Sequence, residues 1–77
     1  MTICLLNELK KDEAAVVVDI SGSVDVKERF YELGIFPGLS LSCFNHIAFG
    51  GPLTIRMDHS KVSLRREDAA HIIVDRA

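Results

Sequence analysis

The residues of this 77-residue chain that could carry nucleophilic or metal chemistry are two cysteines and three histidines: Cys4, Cys43, His46, His59 and His71. A protein-held zinc or iron ion takes three or four such ligands converging on one point, usually through short, regular spacings. Cys43 and His46 have the spacing of half a zinc site, but they fall in a run that reads as a strand, where residues three apart point to opposite faces. His59 and His71 stand apart from them, so each histidine is expected to be an outward or partly packed side chain, and the monomer to hold no tight metal site. Catalysis fares no better. Acyl transfer or acid–base chemistry needs a nucleophile, a base and an orienting group together, and no motif for such a triad is present. Gly50-Gly51-Pro52 is too short to cradle phosphates and fits a hairpin turn. Neither a cofactor nor an enzymatic activity is expected.

Both cysteines sit in apolar surroundings, Thr-Ile-Cys-Leu-Leu and Leu-Ser-Cys-Phe, and the first twenty residues lack the basic start and long apolar stretch of a secretory signal. They are therefore expected to be reduced, at least partly buried thiols in a cytoplasmic protein. No apolar run approaches the ~18 residues of a membrane span, so a soluble protein is expected. Nine basic and eleven acidic residues give a net charge of −2. Phosphate recognition needs a clustered excess of Lys and Arg, and the pair Arg65-Arg66 is followed at once by Glu67-Asp68, which argues against a nucleic-acid partner. A length of 77 residues leaves room for one domain and one core, residues 1–77.

The elements that must position these residues are mostly strands. Polar residues 7–13 suit a turn or a single helical turn before the β-branched run of residues 14–20, in which Val16, Val18 and Ile20 fall on one face. A helix is expected from about Val26 to Leu33, capped by Asp25 with Glu28 reaching back to it, with Arg29 spaced i,i+4 from Asp25. Its apolar stripe is Val26, Phe30 and Leu33; Gly34 ends it in the left-handed conformation, and Ile35 folds back onto Phe30. Pro37-Gly38 fits a type II turn. Leu39, Leu41, Cys43, Ile47 and Phe49 share the inner face of the next strand, with a bulge or twist at Asn45 and Phe44 pointing the other way. A hairpin through Gly50-Gly51 brings in Leu53, Ile55 and Met57, and a turn at Asp58-His59-Ser60 leads to Val62 and Leu64. One helical turn at residues 66–70 and a closing strand over His71–Asp75 complete the chain. The pattern is mainly β: a small, partly open barrel of five or six strands, with one helix of about two turns plugging an end and a short C-terminal helical turn.

The segment Arg29-Phe30-Tyr31-Glu32-Leu33-Gly34-Ile35-Phe36-Pro37-Gly38 resembles the FeoA family, whose hallmark is a helix ending in Leu-Gly, two hydrophobic residues and Pro-Gly before a strand. The resemblance continues through Leu6-Asn7-Glu8-Leu9, Gly50-Gly51-Pro52-Leu53-Thr54-Ile55-Arg56 and Ser63-Leu64-Arg65-Arg66-Glu67-Asp68-Ala69, nearly the whole chain. Two turns depart from it: Asp12 stands where the family often has glycine, and Gly51 where aspartate is common. The resemblance implies an SH3-like fold and a cytosolic accessory role beside FeoB, the membrane ferrous-iron transporter with a cytoplasmic GTPase domain. FeoA-like domains also close metal-dependent repressors of the diphtheria-toxin-repressor type. A start at Met1 with no DNA-binding helices ahead favours the transport reading.

Three function classes follow. A protein-binding regulatory module would show an exposed apolar patch, a metallochaperone would bind ferrous iron or zinc alone, and a nucleic-acid-binding SH3-like domain would bind with strong salt dependence. The residues favour the first, with FeoB as the partner implied by the resemblance and weak self-association left open. Tyr31, about 100° round the helix from Phe30, and Phe44, opposite Leu41 and Cys43, are the candidate anchors. Both could instead cover a satellite of the core.

Overall fold

A computed structural model describes residues 2–46 and 51–76. Six strands form one antiparallel sheet: β1 (Ile3–Leu5), β2 (Ala14–Ile20), β3 (Ser40–His46), β4 (Leu53–Arg56), β5 (Lys61–Leu64) and β6 (Ile72–Asp75), in the order β1-β6-β2-β3-β4-β5. The sheet is open, with β1 and β5 at its edges. Two helices accompany it, α1 (Val24–Glu32) and α2 (Arg66–Ala69), together with a 3-10 turn at Leu6–Glu8. Six strands with one principal helix and one short helical turn match the pattern read from the sequence. The short strand β1 adds to that pattern: it is held by β6 pairing from Ile3↔Asp75 to Leu5↔Ile73, a long-range contact that three residues cannot announce.

The core is one cluster. Leu6, Val17, Ile20, Phe30, Ile35, Leu41, Cys43, Leu53, Ile55, Ile72 and Val74 are almost fully removed from water or nearly so, and no polar or charged residue among those described is buried with them. Each large side chain so buried contributes about 1.5–3 kcal/mol relative to an exposed position. Val62, Leu39, Val26 and Cys4 pack against its rim. The inward positions Leu53, Ile55 and Met57 on β4 and its continuation, and Leu64 on β5, are buried as the alternation requires.

The helix starts earlier than Val26. Ser23, not Asp25, is the N-cap: its hydroxyl accepts the Val26 N–H at 3.3 Å, and Asp25 falls in the first turn, where its charge still suits the dipole. Serine and aspartate cap equally well, so the choice falls to the strand before, which ends at Ile20 and brings the chain to Ser23 already extended. Arg29 turns to Asp68 on α2, at 3.3 Å, rather than to Asp25. At the other end the expected closure is present. Gly34 has φ +88°, its N–H donates to the Tyr31 carbonyl and the Ile35 N–H to the Phe30 carbonyl, the paired bonds of a Schellman motif. That closure buries Ile35 beside Phe30 and leaves Leu33 46% exposed, so Ile35 takes the place in the apolar stripe that periodicity gives to Leu33. Pro37-Gly38 forms the expected turn, with Gly38 at φ +98° and the Leu39 N–H donating to Phe36.

Two bulges interrupt the strand pairing. On β2 the pairing with β6 slips between Val17 and Asp19. Ala15, Val17 and Ile20 are consequently the buried set, while Val16 and Val18 lie exposed on the outer face, against the expectation that Val16, Val18 and Ile20 share a face. On β3 the pairing with β4 runs Cys43↔Ile55 and then Asn45↔Thr54, so Phe44 is the extra residue of a bulge at the place where Asn45 breaks the alternation. The expectations for Ile47, Phe49 and Gly50 fall outside the described residues.

The tight turn before β2 is built without glycine. Asp12 itself adopts φ 70°, its N–H donates to the Cys43 carbonyl at 2.7 Å, and Glu13 reaches back so that its carboxylate accepts the Lys10 N–H at 2.7 Å. Aspartate is among the few residues that enter this region without severe strain.

Two stability predictions follow from these left-handed positions. Because nothing lies within 4 Å of a Cβ at Gly34, the cost there is backbone strain alone. Gly34→Val should cost at least about 1 kcal/mol and Gly34→Asn clearly less, by urea denaturation; an unchanged midpoint for the valine variant would place the helix end elsewhere. At Asp12 the signs differ: Asp12→Gly should be neutral or stabilise by up to about 1 kcal/mol, and Asp12→Val should cost at least about 1 kcal/mol. Equal midpoints for the two variants would contradict the turn described here.

Candidate docking surface

The chemistry-bearing residues do not gather. Cys43 is buried on the inner face of β3 and Cys4 half-buried on β1, with β6 and β2 between their strands; both are free thiols. The His46 ring hydrogen-bonds through Nε2 to the Leu9 carbonyl. His59 sits on the exposed β4–β5 turn, 3.6 Å from Asp58, and His71 lies 3.5 Å from the Ser21 hydroxyl beyond the end of β2. Among the described residues no three of His, Cys, Asp and Glu converge, so the Cys43-x-x-His46 pair is left without further ligands.

Burial pushes both thiols above their ordinary value. At Cys4 this is opposed by the Arg76 charge and aided by Glu8, Glu13 and Asp75; at Cys43 it is opposed by a hydrogen bond from the Asn45 backbone. Below the ordinary thiol range folded and unfolded chains both carry neutral thiols. Above it the unfolded chain ionises more readily than the folded one, so stability falls as pH rises through that range. The melting temperature should drop on the alkaline side, and Cys43→Ala should lessen that drop while lowering stability at neutral pH. A drop of the same size in the variant would show that the thiol contributes nothing to it.

What the surface does offer is apolar and aromatic. Tyr31 on α1 is 49% exposed and Phe36, between the helix and the Pro37-Gly38 turn, is 47% exposed. Phe36, Leu39, Leu41 and Met57 line a trough of about 570 Å³ between that turn and the end of β4, with Arg56 and Asp58 at its margin. Phe44 points away from Cys43, as its position on the strand predicts, and its ring is flanked by two cations: Lys61 Nζ stands 3.8 Å and the Arg56 guanidinium 5.0 Å from its centre. Tyr31 and Phe44 thus both reach the surface, on different elements. Phe44 belongs with Arg56 and Lys61, a grouping the sequence reading missed. The signal was present, since alternation puts Arg56 and Lys61 outward and the short Asp58–Ser60 turn sets them opposite each other, but only the bulge at Phe44 brings the ring beneath them.

An antiparallel sheet, one amphipathic helix closed by Leu-Gly and a Pro-Gly turn beside an apolar trough define a small β-domain with aromatic residues at its surface. Residues 4–76 match the model of the FeoA domain, and the chain belongs to the FeoA family. It is 34% identical over 70 residues to the Fe(2+) transport protein A/Fe(2+) transporter FeoB fusion protein of Porphyromonas gingivalis, spanning 91% of this chain and 8% of that much longer protein. The solution structure of a FeoA-like protein from Clostridium acetobutylicum is 26% identical and superposes with a TM-score of 0.87 over 99% of this chain and 90% of that one. FeoA of Stenotrophomonas maltophilia, complexed with zinc and described as a prokaryotic SH3 domain protein, is 25% identical with a TM-score of 0.80, over 94% and 89% of the two chains. The fold is accordingly SH3-like, and the family is one of ferrous iron transport. Among the described residues no helix is long and apolar enough to cross a membrane.

Proposed function

We propose that this chain is a non-enzymatic, cytoplasmic accessory protein of ferrous iron uptake, a single domain that acts by docking on the cytoplasmic part of a FeoB-type transporter. The observation that supports this reading most is the P. gingivalis relative, in which a matching domain is fused to FeoB itself. Fusion keeps two domains at high effective concentration, which benefits a pair that works in contact. The surface agrees with docking: Tyr31 is exposed on α1, Phe36 is exposed beside the Pro37-Gly38 turn and Phe44 is half-buried on β3, and aromatic residues are enriched among interface anchors.

A metal carrier is the second reading, favoured by the zinc in the S. maltophilia structure. The ligands of this chain weigh against it, since Cys43 is buried in the core and the His46 ring is engaged with the Leu9 carbonyl. Calorimetry separates the two readings: submicromolar, stoichiometric binding of ferrous iron by a monomer would favour the carrier.

Docking is tested with the purified chain and the cytoplasmic part of the transporter. Tyr31→Ala and Phe44→Ala should each keep the fold by circular dichroism and weaken binding by about 2 kcal/mol or more. Binding by both variants as tight as that of the unaltered chain would remove these residues from the interface.

A further inference from the structure

Lys61 and Arg56 are placed at a cost to the fold. They lie directly opposite each other across β4 and β5, where two like charges repel, and neither forms an ion pair among the described residues. Asp58, the carboxylate of the intervening turn, is directed to His59. The Phe44 ring, presented by the bulge, lies against both cations and offsets part of the repulsion through its electron-rich face. The chain as a whole is acidic, with net charge −2, so this doubly positive spot runs against the overall balance. It also adjoins the apolar trough, because Arg56 belongs to both.

Resting on the reading that the chain works by docking, we propose that the Phe44–Arg56–Lys61 face and the adjoining trough bind an acidic protein segment, its carboxylates on the two cations and an apolar side chain in the trough beside Phe36 and Met57. Charge complementarity selects this occupant: two unpaired cations next to an apolar recess match carboxylates next to an apolar residue. Guarding the exposed edge strand β5 against sheet extension is the other use of a lysine there. The two uses are separable, since a glutamate at the same place guards the edge equally well and repels the acidic segment.

Titration of the isotope-labelled chain with a short peptide of alternating leucine and glutamate should shift the amides of Phe44, Arg56, Met57 and Lys61, more at low than at high salt. Lys61→Glu should weaken that binding at least about tenfold while leaving the melting temperature about unchanged, because an attracting cross-strand pair with Arg56 offsets the lost contact with the Phe44 ring. Absence of shifts, or equal binding by the variant, overturns the proposal. Stronger shifts of the same amides by phosphatidylglycerol vesicles or duplex DNA overturn it in favour of those partners. The transporter distinguishes the two readings. Peptide binding without any transporter binding removes the docking function alone, whereas transporter binding untouched by Lys61→Glu together with Arg56→Glu removes this face alone.

Discussion

The pleat of a β-strand sends successive side chains to opposite faces, and a domain this small has a single core to receive one of those faces. Every strand must therefore keep its apolar residues in phase with all the others. Residues 14–20 cannot do so by strict alternation, since they carry apolar residues at both parities. The slip at Val17/Asp19 restores the phase and lets Val17 and Ile20 both reach the core on β2. On β3 alternation itself keeps Leu41 and Cys43 inside and turns Phe44 out, and the slip falls after Cys43.

The outward residues are the consequence that matters for function. An SH3-like sheet with a filled interior has only its outer face, its edges and its connections left for recognition. Here Phe44, at the β3 bulge, sets an aromatic ring on that face, and the tight β4–β5 turn sets two cations over it. The helix end supplies the rest. The Schellman closure at Gly34 draws Ile35 inward and carries the chain directly into Phe36 and the Pro37-Gly38 turn, which forms one wall of the trough. The aromatic surface and the fold thus depend on the same few backbone devices.

The spacing of ligand-type residues bears on the iron connection. A family tied to ferrous iron transport invites a search for a metal site, yet Cys43 serves as a small core residue and His46 as a hydrogen-bond partner for the Leu9 carbonyl. Both roles depend on burial and geometry rather than on metal chemistry.

The sequence alone determined whatever local chemistry controls. Gly34 and Pro37-Gly38 allow backbone conformations that other residues resist, so the helix end and the turn were legible, and so was the bulge near Asn45, where alternation fails within one segment. Alternation likewise identified the buried faces of β4 and β5, and the Leu-Gly and Pro-Gly spacing carried the family resemblance. Tertiary structure decided wherever two local solutions were nearly equal in energy. Ser23 and Asp25 both cap well, Arg29 could pair with Asp25 or Asp68, and β2 could bury either parity until pairing with β6 fixed the slip. The approach of Phe44 to Arg56 and Lys61 belongs to this second group, because it joins three strands, and a contact across strands depends on register that no single segment encodes.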